Sequence, residues 1–399
     1  MKRVLISAVA AGALLGQLNA FEVYKDGDKS FGVFGSARAL LGYGLNITNE
    51  MYDGKITKNS KKTNGEFLAG IQGNSRIGIN FTVGKVFGAA LIGVGESTLY
   101  GAGGNTGFRQ LYAGYDFGDA GKLLAGKVEL ITSMGGFSSD TWNTDNGLNG
   151  FGGKGQSTRR LQIAYSVAGL TFSISENDFG GRTGGRAITN GNTTTVQGRG
   201  YEVPRFSLGY EYKDSSIRAK VAATYAYRND KTSYGTGNNV ESNNVKNAFL
   251  VTAGVRPTFG DSYVAALLTY GYNAEKLGEI LIATPKLSAG FQNVGVSSSV
   301  RGTNNTNIAA LALEYGMNLT DDLALKIGAG YQYAHNQGDG GDIHSYAGFV
   351  QLPYKVGAGF NIIPQVGYIG TTGATKNVGK WRADNIGNFL ATVQFALNF

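Results

Sequence analysis

Reactive side chains are scarce in this sequence. It has no cysteine, which removes disulfides and thiolate chemistry together, and only two histidines, His335 and His344. The histidines flank "NQGDGGD", which reads as a solvated loop rather than a metal site, and no serine motif accompanies them. Glu96 and Glu129 are isolated carboxylates, too far apart in sequence pattern to form an acid–base pair. The glycine clusters "GAGGNTG" and "GGRTGG" have no helix following them, so they are not phosphate cradles. A hydrolytic enzyme would need a nucleophile–base set that these residues do not supply. The expectation is therefore no catalysis, no metal and no cofactor.

What remains is charge. Lys and Arg total 36 against 28 Asp and Glu, a formal +8, or +6 without the two cations in the first twenty residues. The cations are spread over many segments rather than gathered in a patch, which argues against nucleic acid. Their neighbours alternate. Arg76 shares a side of its segment with Gly78 and Asn80, opposite Ile77, Ile79 and Phe81. Arg160 sides with Gln162 and Ser166, whereas Arg109 shares its side with Leu111 and Tyr115 and is less clean. In 216-229, Ile217, Ala219, Val221, Ala223, Tyr225 and Tyr227 oppose Arg218, Lys220, Thr224 and Arg228. A period of two marks β-strands with one apolar and one polar face.

The elements that carry these residues follow one grammar. Alternating segments of about ten residues are joined in turn by very short links, such as Gly84-Lys85 or Gly260-Asp261, and by long polar stretches. Sixteen such segments run from "FGVFGSARALLGYGL" to the terminal "FLATVQFALNF", with 63 glycines and 43 Tyr and Phe among all residues. Their apolar faces are too extensive for one soluble all-β core. A closed antiparallel transmembrane β-barrel resolves this: apolar residues face lipid, polar ones face a wet lumen, and closure leaves no strand edge. The segment 274-307, with "EILIATPKLSAGF", leaves room for another hairpin, so eighteen strands stay open beside sixteen.

Residues 1-20 begin with Lys2 and Arg3, continue with "VLISAVAAGALLG" and close at Ala20, the pattern of a cleaved export signal. The apolar run is too short for a membrane anchor. Residues 21-399 then form a single barrel domain.

Several stretches resemble the trimeric general porins of Gram-negative outer membranes. "EVYKDGDKSFGVFGSARA" is similar to the opening of that family, and "SRIGINF" to its second strand. "FRQLYAGY", with "AGK" after it, resembles its Arg-Gln-Ala-Tyr strand and the Leu-Gly-Arg that follows. "RQLYAGY" also resembles the eighteen-stranded major outer-membrane proteins of the epsilon group. The resemblance implies short periplasmic turns, long outer loops and a third loop folded into the lumen. Residues 132-157 occupy that place, with "FGG" at 151-153 similar to the loop tip and Lys154 standing where the family often has an acid.

It also implies a constriction. Arg76, Arg109 and Arg160 fall on the family's basic wall, with Arg38 and Lys127 as neighbours by strand parity. Asp140, Asp145 and Lys154 would face them from the loop, and Glu96 and Glu129 would be lumen acids. The expected function is a water-filled channel for passive diffusion of small hydrophilic solutes and ions, weakly anion-preferring. A substrate-specific channel is the alternative, and an outer-membrane barrel enzyme a lesser one. The implied setting is the outer membrane, with lipid and lipopolysaccharide around a homotrimer. Phe395, Leu397 and Phe399 resemble the signal read by the outer-membrane assembly machinery.

Overall fold

The computed structural model describes residues 21–52, 61–72, 75–93, 107–139, 159–177, 188–190, 193–195, 201–229, 233–234, 241–242, 247–278, 280, 282–285, 294–297, 305–336, 341–373 and 381–399. The candidate residues Glu96, Asp140, Asp145 and Lys154, the "FGG" tip and the export signal lie outside them.

Alternation does produce the strands, and sixteen of them close into one antiparallel barrel. They are β1 (Lys29–Tyr52), β2 (Lys61–Ile71 continued by Arg76–Val83), β3 (Val86–Gly93), β4 (Gly107–Asp116), β5 (Lys122–Glu129), β6 (Arg159–Val167), β7 (Leu170–Ser175) and β8 (Arg205–Lys213). The second half comprises β9 (Ile217–Asn229), β10 (Asn247–Phe259), β11 (Ser262–Tyr272), β12 (Thr306–Asn318), β13 (Ala324–Asn336), β14 (Gly341–Gln351 continued by Tyr354–Gly357), β15 (Phe360–Gly373) and β16 (Trp381–Asn398). Each pairs with its successor, and β16 returns to β1, with Asn398 opposite Ser36 and Trp381 opposite Tyr52. Among the described residues no helix is long and apolar enough to cross a membrane.

Tight links gather at one rim. Val83 and Val86 are joined by Gly84-Lys85, and β6 and β7 by Ala168-Gly169, both of which have positive φ (49° and 86°). Two consecutive positive φ values match the right-handed twist of a two-residue hairpin. The opposite rim carries the long connections. Phe21–Asp26 folds back on β1, with Phe21 opposite Val33, in line with the end of β16.

The seam is made by backbone and by shape. Gly35 N donates to Phe399 O at 2.7 Å, and Phe399 N donates to Gly35 O at 3.1 Å. The Phe399 ring lies 2.5 Å from where a Gly35 Cβ would stand, so no side chain fits there. Phe395, Leu397 and Phe399 all share the outward parity expected of them.

Two expectations change. The segment 274-307 does contain a hairpin, Ile282–Pro285 with Val294–Ser297, but it is a separate two-stranded sheet. It cannot join the barrel because β11 and β12 are paired along their whole length, from Ser262 opposite Met317 to Tyr272 opposite Asn307. The strand count is therefore sixteen, not eighteen. The histidines are also not in a loop. His335 on β13 and His344 on β14 face outward beside Tyr331 and Tyr333, with His335 Nδ1 2.7 Å from Asp342 Oδ1 and His344 Nδ1 2.6 Å from the Tyr331 hydroxyl.

Outward positions are large and apolar along the barrel. Leu161, Ile163 and Leu268 are each about 60 % exposed, whereas inward Gln162, Ser173 and Thr269 are buried. An exposed apolar band of this extent suits lipid, not water. The inner wall is polar in places, as where Gln351 Nε2 donates to Gln365 Oε1 (2.9 Å) and Gln365 Nε2 to Thr392 Oγ1 (2.7 Å).

Candidate functional site

β5 ends at Glu129, and the chain then turns into the barrel. Leu130, Thr132, Ser133, Met134, Phe137, Ser138 and Ser139 are all buried there. Two short turns bend it, Ser133 N to Leu130 O (3.0 Å) and Phe137 N to Met134 O (3.3 Å). The segment runs along the inner wall of β8 to β12. Ile131 occupies the space left by Gly209 on β8, and Phe137 the space left by Gly254 on β10. The lumen-folded third loop expected at 132-157 is present in its described part, residues 132–139, and the inward course begins at Leu130.

Charged side chains near the short-turn rim hold it. Lys220 Nζ donates to Ser133 O (2.7 Å), and Arg256 Nη1 to Gly136 O (2.9 Å). The Arg218 guanidinium stands 4.9 Å from the centre of the Phe137 ring and is fixed by Glu211 at 2.8 Å. At the far end, Glu314 on β12 accepts from Ser139 N (2.6 Å), Ser139 Oγ (2.8 Å) and the Tyr263 hydroxyl (2.6 Å). A buried carboxylate with several donors is a strong, directional clamp. The Arg256 guanidinium stacks on Tyr263 at 3.7 Å, which completes the group.

Across from this wall stand the arginines. Arg38 on β1, Arg76 on β2 and Arg160 on β6 share the inward parity of Ser36, Gly78 and Gln162. Arg109 joins them by an irregularity. The register of β3 and β4 slips between Leu91 and Ile92, so that Leu91 opposes Gln110 while Ile92 opposes Phe108. This is a β-bulge, and it lets Arg109 and Gln110 both point inward. The Arg109 stem accordingly passes 3.1 Å from the Cβ position of Gly93.

Lys127 does not belong to this wall. Leu124 and Val128 are the buried, inward residues of β5, and Lys127 sits opposite Leu161 on the outward face, where Nζ donates to Phe108 O (2.8 Å). The segment "KLLAGKVELI" has apolar residues on both faces, so its parity is ambiguous in sequence. Glu129 is also displaced from its expected role. It shares the parity of Lys127 and, at the strand's last residue, accepts from Arg159 Nη2 (2.9 Å) and Ser133 Oγ (3.3 Å). It braces the root of the inward segment instead of pairing with the arginine wall. Sequence reading did not single out Arg205, Glu314, Arg256 or Tyr263. The inward parity of Glu314, opposite Leu313 and Tyr315, was available as a signal, but its partner was not.

A closed sixteen-stranded barrel agrees with the comparisons. No protein-family model matches the chain. Outer membrane porin C of Enterobacter cloacae is 26% identical over 294 residues, covering 70% of this chain and 73% of that protein. The chain is thus similar to an outer-membrane porin in sequence and shares the barrel fold of outer-membrane channels. The fold likeness extends further in solved structures. The outer membrane channel DcaP of Acinetobacter baumannii matches with a TM-score of 0.57 at 16% identity, over 93% of this chain and 99% of that one. The trimer form of OmpT, an outer membrane protein of Vibrio cholerae, matches with a TM-score of 0.51 at 13% identity, over 93% and 99%. The Gram-negative outer membrane surrounds the outward face.

Proposed function

We propose that this protein is a trimeric porin, a channel for passive diffusion of small hydrophilic solutes and ions, with a weak preference for anions. One observation carries the preference. Arg38, Arg76, Arg109 and Arg160 face inward from one half of the barrel, and Arg218, Lys220 and Arg256 face inward from the other, against Glu211 and Glu314. An excess of inward cations sets up a field that favours anions. A hydrated pore screens that field within about 8 Å at physiological salt, so the preference is modest.

The trimer reading draws on the trimer form of the OmpT neighbour and on the small outward residues of β1, of which Ala37 and Ala39 suit a protein-facing wall while Gly35 is covered by the chain's own Phe399. Elsewhere the outward face suits membrane lipid and lipopolysaccharide. Residues 1-20 serve as the export signal, and the C-terminal aromatics are read by the assembly machinery. The test is a planar-bilayer recording under a salt gradient. Arg76→Gln with Arg160→Gln should move the reversal potential toward cations and raise conductance slightly. An unchanged reversal potential removes those arginines from the narrow zone.

A further inference from the structure

The inner wall near the outer mouth carries apolar residues where a wet passage calls for polar ones. Leu250, Ile308, Ala334 and Ile343 point inward by alternation, each within a few residues of the long-loop ends of β10, β12, β13 and β14. They are nevertheless dry, because the chain leaving β11 turns inward and lies over them. Ala274 and Ile280 complete that cluster, and Leu277 forms another with Ala226 and Ala248. Ala274, Leu277 and Ile280 have no exposed surface. Apolar surface removed from water on both sides holds the segment against the wall.

Polar contacts fix its ends. Asn273, in the left-handed region at φ 53°, donates from N to Thr306 O and accepts from Thr306 N on Oδ1, both at 2.8 Å. Its Nδ2 donates to Asn247 O at 2.7 Å. Residues Ala274–Leu277 then make a single 3-10 turn, closed by Gly278 N to Glu275 O (3.1 Å). Arg205, fully buried on β8, reaches across to donate Nη2 to Leu277 O at 3.0 Å.

We propose that Asn273–Gly278 with Ile280 is a second constriction element, in series with residues 130–139 and held by Arg205, that sets the size limit of the passage at its outer end. This rests on the channel reading. Arg205 is then a positioning residue and no part of the solute-facing basic wall, because its guanidinium is covered by the segment it holds.

Full-length protein in planar bilayers tests this. Arg205→Ala should raise single-channel conductance by about 1.2- to 1.5-fold, since a restriction in series limits but does not abolish flow. It should also speed entry of a trisaccharide in liposome swelling. Leu277→Asn with Ile280→Asn, which alters no barrel strand, should act in the same way and guards against a folding defect in the first variant. The chain has no cysteine, so Ala226→Cys with Leu277→Cys can be added to Arg205→Ala as a clean cross-link. Oxidation should return conductance to the wild-type value, and reduction should restore the increase. The proposal fails if folded Arg205→Ala and the double loop variant both conduct like wild type, or if a confirmed cross-link leaves the conductance raised. A wild-type chain that forms no pore at all would instead overturn the channel reading itself.

Discussion

Gly254 matters for what it lacks. The Phe137 ring lies 2.8 Å from where its Cβ would stand, so Gly254→Val pushes the ring, and the segment behind it, off the inner wall. Larger and noisier single-channel currents are the expected result, with barrel assembly retained. Glu314→Ala attacks the same segment from the other end. It leaves the Ser139 and Tyr263 donors without their acceptor, at a cost of about 1–3 kcal/mol, readable as a lower unfolding temperature by heat modifiability. If the variant unfolds at the wild-type temperature, the clamp contributes nothing to stability. Single residues were legible in the sequence only where alternation was clean. Arg76 and Arg160 could be placed because their neighbours differ sharply by face. Arg109 could not, because a bulge breaks the period of two, and Lys127 could not, because both faces of β5 are apolar. Glu314 binds a residue 175 positions away, and Arg205 one 72 away, and no local pattern reports such pairs.

Turns at the short-turn rim have their own chemistry. Between β8 and β9, Asp214 Oδ1 accepts from Ser216 N (2.7 Å), Ser216 Oγ (2.9 Å) and Ile217 N (2.8 Å), while Oδ2 accepts from the Tyr212 hydroxyl (2.7 Å). The Tyr212 hydroxyl, followed by the backbone N–H groups of Ser216 and Ile217, holds this carboxyl well below the usual range. A lowered carboxyl pKa stabilises the fold fully above the ordinary aspartate value of about 3.9, and that contribution is lost as pH falls from there through the lowered folded-state value. Acid unfolding of the wild type should therefore include a component that Asp214→Asn lacks; parallel acid curves for the two proteins contradict this. The strands themselves test their faces. Val221, half exposed on the outward side of β9, should cost roughly 2–4 kcal/mol in refolding titrations when changed to Arg, if it meets the bilayer core. Strands were the most legible elements, because a period of two repeats over many residues. The inward segments were less so: residues 130–139 followed from a resemblance, and 273–280 from nothing local, since their apolar character is explained only by the wall they cover.

For the barrel as a whole, closure is readable in the sequence, because sixteen two-faced segments need lipid on one side and pairing at every edge. How the seam is made was not readable. It depends on the Phe399 ring covering Gly35 and on reciprocal backbone bonds between the two residues. Deleting Phe399 should lower the amount of heat-modifiable barrel in the outer membrane, and Gly35→Leu should do so with the C-terminus intact. Normal assembly of both variants would remove this contact from the closing step.

That seam also fixes an order of events. It joins Gly35 to Phe399, 364 residues apart (399 − 35), so ring closure is the most non-local pairing among the described residues. Contacts of such long span are slow to form, and until they do β1 presents a bare edge that any other extended chain can pair with. A product truncated before β16 is therefore not a slightly smaller pore. It is a sheet with two open sides and a proneness to aggregate.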